Sequence, residues 1–317
     1  MTSPLLDTAL DLSVLGGYTN VGYRLRSRGW AALPRMEGKV VLITGATSGI
    51  GLAAADGFAR LGATVWLAVR NRERGEDART RILEHLGEAD VRLGLCDLSR
   101  LASVRRFAER FAAEAPRLDV LVNNAGVLTQ RREVSADGIE LTLATNVVGP
   151  FLFTQLLIPA LERNVPSRIV NVSSGGMHTQ KLRPDDLQSE QEDFDGPTAY
   201  ARTKRAQVIL TEMWAQRLSG TGVTAHAMHP GWADTPGVRS SLPRFYRVSR
   251  PLLRTPKQGA DTIVWLGAAA EPAETSGGFW HDRRRRPTYL LSGTWETEAD
   301  RRCLWAECVA LSSPTSN

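Results

Sequence analysis

Cysteine is scarce in this chain: Cys96, Cys303 and Cys308 are the only three in 317 residues. So few cannot build a disulfide framework, and no spacing among them fits a metal site. A reducing, cytoplasmic setting is the expectation that follows. Long apolar runs are lacking as well. No stretch approaches the roughly 20 residues of a membrane span, and the N-terminus does not read basic-then-apolar as a signal peptide does. Acidic residues fall short of basic ones, leaving a formal charge of +5, with Arg24, Arg26, Arg28 and Arg35 near the start and Arg283–Arg286 near the end. Such clusters suit phosphate groups or anionic surfaces, although a solvated face is the plainer reading. No aromatic-rich or zinc-ligand module accompanies them, so nucleic acid is not an expected partner.

What is present fits a globular enzyme-sized unit: hydrophobic residues at 42% leave enough for a substantial core. Residues 1–36 read as an extension. Leu5, Leu6, Ala9, Leu10, Leu12 and Leu15 suggest an amphipathic helix ending at Gly16-Gly17, followed by an aromatic and basic stretch from Tyr18 to Trp30. That stretch suits a lipid surface, a cover over an apolar cleft, or packing on the domain. From residue 37 onward, strand, turn and helix repeat. Val40–Ile43 is continuously apolar, as in a strand buried on both faces, and further strands are expected at 64–69, 91–95, 119–122, 168–173 and 223–228, with a seventh from Phe279. The expected fold class is α/β: a single domain with a doubly wound, Rossmann-type parallel sheet and helices on both faces.

The turn after the first strand carries the first chemical signal. Gly45, Thr47, Ser48, Gly49, Ile50 and Gly51 lead from strand into helix. There the backbone approaches a pyrophosphate and the helix N-terminus offers N–H groups to it. The second strand ends on Arg70 and Asn71 where an acidic residue would bind ribose hydroxyls. A guanidinium there suits a 2′-phosphate, so NADP(H) is favoured, with NAD(H) as the alternative; Arg70 capping the sheet edge is the bland reading. Asp97 and Leu98 follow the third strand, where the adenine is expected. Asn123, Ala125 and Gly126 end the fourth, at the carboxyl edge where ligands of such sheets bind. Asn123 suits a structural tie between strands equally well.

Tyr200 and Lys204 stand one helical turn apart, so an ammonium lies near a phenol and favours its phenolate. Ser173-Ser174 closes the strand before them. Together with Asn146, Pro230, Gly231 and Thr235, these motifs resemble the short-chain dehydrogenase/reductase family from Lys39 to about Trp280. The resemblance implies hydride transfer between a nicotinamide cofactor and an alcohol/carbonyl pair. Tyr200 would be the general acid/base, Lys204 would lower its pKa and bind the nicotinamide ribose, and Ser174 would polarise the carbonyl. Asn146 would hold a water linking Lys204 to solvent, and Pro230, Gly231 and Thr235 would face the carboxamide. The long Gly175–Ala199 segment departs from the common spacing and resembles retinol-dehydrogenase-like members. Met177, Trp232, Leu242, Phe245 and Tyr246 would line an apolar substrate pocket. The expected partner is a small molecule, with peripheral membrane contact through residues 1–30 and oligomer formation through the long helices as further expectations. A nucleotide-binding regulator that keeps the fold without turnover is the rival. Neither His178 nor His229 is expected to act in catalysis.

Overall fold

The computed structural model describes residue 10, residues 13–115 and residues 117–313. Leu5, Leu6, Ala9 and Leu12 of the expected amphipathic helix lie outside them. Two short helices follow in the extension, α1 (Val14–Tyr18) and α2 (Asn20–Arg26). The strands are β1 (Val40–Thr44), β2 (Thr64–Val69), β3 (Val91–Leu95), β4 (Val120–Asn123), β5 (Ser167–Val172), β6 (Val223–Met228), β7 (Phe279–His281) and β8 (Arg284–Arg285). They form one sheet in the order β3-β2-β1-β4-β5-β6-β7-β8, parallel through β7, with β8 returning antiparallel. β1 is buried along its whole length, as its unbroken apolar run requires. Chain order reverses between β1 and β4. The crevice outside the carboxyl ends of these strands is therefore the natural ligand site.

Helices cover both faces. On one lie α3 (Gly49–Arg60), α4 (Arg72–Leu86) and, from the far end of the chain, α10 (Pro256–Ala268), packed with Val41, Ile43, Val65 and Phe58. On the other lie α5 (Leu101–Glu114), α6 (Gly149–Glu162) and α7 (Gly196–Arg217), packed with Leu42, Trp66 and Phe153. Two short helices, α8 (Pro236–Ser241) and α9 (Pro243–Ser249), project over the crevice.

Three expectations need correction. The helical segment Leu141–Glu162 is, by length and composition, apolar enough to cross a bilayer, yet 72% of its most apolar window is buried. Its hydropathy belongs to a core helix between sheet and neighbours. It is also not one regular helix, because Ala144–Val148 forms a π turn. Second, the arginine run at 283–286 is not a solvated face. Arg283 pairs with Asp261 at 2.8 Å and lies over the Trp30 ring, while Arg284-Arg285 is the edge strand. Third, Arg26 of the basic N-terminal cluster is buried in an ion pair with Asp282 at 3.0 Å.

The C-terminal helix α11 (Glu298–Ser312) lies across α6 and α7, with Trp305 edge-on to Phe151 and to Trp214. The exposed face of the long helices expected to meet another subunit is thus covered in part by the chain itself. Arg205, buried on α7, fixes the preceding segment by pairing with Glu296 at 3.1 Å and lying 4.1 Å from the Tyr289 ring centroid.

Candidate active site

At the β1–β4 crevice the glycine-rich turn is held from below by Asn124, whose side-chain amide donates to Thr44 O at 2.9 Å and Gly45 O at 3.2 Å. Gly45 has φ of 67°, and a Cβ there would stand 2.8 Å from Ala125 Cα. Only glycine lets the turn lie against β4. Ser48 and Gly49 then open α3, and the Ser48 side chain makes no capping hydrogen bond. The first N–H groups of α3 are left for an anion. Ile50, Ala125 and Gly126 border the same crevice.

The predicted adenosine-side residues divide. Arg70 is exposed at the end of β2 and has no ion pair or hydrogen bond among the described residues, leaving its guanidinium for a ligand. Asn71 instead caps α4 by accepting from Arg74 N at 2.8 Å. Asp97 turns one carboxylate oxygen onto Ser99, accepting from its N at 3.0 Å and its Oγ at 2.7 Å. Leu98 is buried core. Asn123 takes the structural alternative: its amide donates to Asn171 at 2.8 Å and Thr154 at 3.0 Å, tying β4 to β5 and α6, and it does not line the cleft.

At the other end, Ser174, Tyr200 and Lys204 line one cleft of about 460 Å³. Neighbours on a strand point opposite ways, and Ser173 is the inward one, donating to Lys204 O at 2.8 Å. Ser174 faces the cleft beside Tyr200. Lys204 Nζ lies 5.4 Å from the Tyr200 ring centroid. The expected depression of the tyrosine pKa is absent in the protein alone. Burial raises Tyr200 to about 12, only partly offset by the neighbouring Ser174 hydroxyl. Burial lowers Lys204 to about 7, so desolvation works against the ammonium that would favour the phenolate.

Asn146 sits within the π turn, its side chain bonded to Val127 N at 2.8 Å, Val127 O at 3.0 Å and Thr203 Oγ1 at 3.0 Å. A residue that the sequence reading passed over connects it to Lys204. Gln207 Nε2 donates to Asn146 O at 2.7 Å, and Gln207 Oε1 accepts from Lys204 Nζ at 3.0 Å. A side-chain amide, that of Gln207, thus stands between the Asn146 backbone and Lys204. Its position, three residues after Lys204 on a helix, was the available signal.

The apolar wall of the cleft comprises Val127, Leu128, Trp232, Leu242 and Phe245. Of the five residues expected there, Met177 is instead fully buried beside Val208 and Phe279, and Tyr246 stacks under Arg239. Pro230, Gly231 and Thr235 line the same cleft. Thr235 also caps α8, accepting from Val238 N at 3.2 Å. His229 is buried and kept neutral by desolvation and by His281 beside it, and His178 is likewise lowered, to about 4. Neither lines the cleft.

Comparison with known proteins agrees with this geometry. A family model described as short chain dehydrogenase matches residues 39–244. The chain is 43% identical over 292 residues to dehydrogenase/reductase SDR family member 12 of Bos taurus, covering 90% of this chain and 91% of that one. It is 40% identical over 253 residues to retinol dehydrogenase 12 of Bos taurus, covering 79% and 80%. Among solved structures, RhlG of Pseudomonas aeruginosa in an NADP active-site complex superposes with TM-score 0.64 at 26% identity, covering 77% of this chain and 94% of that one.

Proposed function

The chain belongs to the short-chain dehydrogenase/reductase family, and on that premise we propose that it transfers hydride between NADP(H) and an apolar or bulky alcohol/carbonyl substrate. The observation that carries this reading is the cleft outside the sheet's carboxyl edge, where Ile50 of the glycine-rich turn and Ser174, Tyr200 and Lys204 line one cavity under an apolar wall. The uncapped N-terminus of α3 opens beside it, and Arg70 stands exposed at the end of β2. Gly45, Thr47, Ser48, Gly49, Ile50 and Gly51 would hold the pyrophosphate, Arg70 the 2′-phosphate, and Pro230, Gly231 and Thr235 the carboxamide. The cofactor supplies or accepts the hydride when bound.

The residues of the chain handle the proton. In reduction, negative charge builds on the carbonyl oxygen. In this reading the Tyr200 and Ser174 hydroxyls, which line the same cleft, both donate to it, and Tyr200 Oη gives up its proton. The Lys204 ammonium stabilises the resulting phenolate, and Gln207 and Val172 O hold that ammonium in place. The wall of Trp232, Leu242 and Phe245 excludes water and favours an apolar substrate.

A panel of carbonyls and alcohols, followed by nicotinamide absorbance with NADP(H) and NAD(H) in parallel, tests the reading. Equal use of both cofactors would remove the Arg70 argument. Cofactor binding without turnover of any substrate would favour a regulator. A surface feature also favours contact with an anionic lipid surface at the cleft mouth. Exposed Val248 and Leu252 follow one another along the chain with exposed Arg244, Arg247 and Arg250, and Asn20, next to exposed Val21 and one helical turn before Arg24, donates to Pro251 O at 3.3 Å; no ion pair of these four arginines occurs among the described residues. Flotation with phosphatidylserine vesicles checks it, and unchanged flotation after reversing those four arginines would rule it out.

A further inference from the structure

The N-terminal extension is bound to the one loop of the crevice that the nicotinamide must touch. Arg254, 1% exposed, is the centre of the arrangement. Its Nη2 donates to Gly17 O at 2.7 Å, and its Nε reaches Tyr18 O at 3.1 Å and Thr19 O at 3.2 Å. The same guanidinium packs on the cofactor-side loop: Nη1 is 3.4 Å from Pro230 O, and a Cβ on Gly231 would lie 2.4 Å from Arg254 Nε. Backbone bonds complete the join. Trp232 N donates to Tyr18 O at 2.8 Å, and Arg254 N donates to Trp232 O at 2.7 Å.

Asp282 aims the guanidinium. It accepts from Arg254 at 2.5 Å and 2.8 Å and from Arg26 of the extension at 3.0 Å. Asp282 and Arg283 occupy left-handed backbone, with φ of 52° and 57°, which costs non-glycine residues energy. The strained turn between β7 and β8 is thus maintained where it presents a carboxylate inward. The Tyr18 ring then wedges edge-on against His229, at 4.4 Å between centroids, and against Trp232, at 6.1 Å. It also lies close to the backbone of Gly175, the residue after Ser174.

We propose that the extension is a structural part of the reaction site: Arg254, held by Asp282, is a positioning residue that uses Gly17–Thr19 to fix the Pro230–Trp232 loop. This rests on the oxidoreductase reading above. The loop carries no regular ladder of its own, so without the clamp its carboxamide-facing backbone and the Trp232 wall would lose their common anchor. The adenosine end, built on β1 and α3, would keep its grip.

The test uses the full chain with Arg254→Lys, which keeps the charge but cannot reach three carbonyls and both Asp282 oxygens at once. Amide exchange in residues 229–235 is expected to quicken at least about tenfold while β1 and β4 stay protected. The kcat for carbonyl reduction is expected to fall about tenfold or more, with the NADPH Kd changed by less than about threefold. Wild-type exchange together with wild-type kcat would overturn the proposal. So would a kcat loss matched by uniform loss of protection across the sheet, which marks a merely structural role. Should Arg254→Lys not fold, Tyr18→Ala removes the wedge with the guanidinium intact and is read by the same two measurements. A wild-type chain that turns nothing over sinks the oxidoreductase reading but leaves the exchange experiment to judge the clamp.

Discussion

The two ends of the crevice are built in opposite ways. The glycine-rich end is almost contiguous: Thr44–Gly51 makes the turn, and Asn124, just beyond β4, ties it down. The end that carries Tyr200 and Lys204 is assembled from residues 17–19, 174–175, 200–207, 230–232, 254 and 282, joined by side-chain hydrogen bonds. The first depends on backbone conformation and the second on tertiary contacts. Substitutions should therefore fail differently at the two ends, one in cofactor binding and the other in turnover.

The largest effect expected is at the reacting end. Tyr200→Phe removes the proton donor and should lower kcat by about 10²–10⁴-fold while the cofactor Kd hardly moves; stopped-flow turnover and fluorescence titration separate the two. At the opposite end, Gly45→Val forces a Cβ against Ala125 on left-handed backbone. Isothermal titration should find cofactor binding lost, and retained binding would break the comparison. Arg70→Ser should cost about 10–100-fold in kcat/KM with NADP(H) and leave NAD(H) kinetics unchanged.

Smaller effects sharpen the proton-handling side. Gln207→Leu deprives the Lys204 ammonium of one acceptor, which disfavours its charged form. The kcat should fall about tenfold, and the pH at which activity is lost should move down. In the wild type, Lys204 loses its proton near pH 7 while Tyr200 holds its own to about 12. The kcat/KM for reduction, which reports the free enzyme, should therefore decline as pH rises through about 7. A profile flat to about pH 9 would show that the Lys204 charge is not required.

Much of the fold was legible because a parallel sheet buried on both faces leaves unbroken apolar strands such as Val40–Ile43. The motif order alone pointed Ser174, Tyr200 and Lys204 to one cleft, and the fold brings them there. Other positions were ambiguous for local reasons. Asn71 and Asp97 stand where ligand contacts are expected, but an asparagine or aspartate at the start of a helix or turn bonds its own backbone first. Met177 and Tyr246 were assigned to the pocket by hydrophobicity alone, which cannot tell a cleft wall from the core beside it. The clamp was invisible because Arg254 has no motif and its partners lie up to 237 residues away.

The sequence by itself pointed to the sheet, the glycine-rich turn and the set of Ser174, Tyr200 and Lys204, because the first two are encoded within a strand or a turn and the third by the order of its motifs along the chain. Only the tertiary structure decided that Gln207 stands between Asn146 and Lys204. It alone decided that burial, more than neighbouring charge, governs Tyr200 and Lys204, and that the extension is fastened to the nicotinamide loop. Those outcomes turn on desolvation and on side chains meeting across long separations, and both are set by the packed fold as a whole.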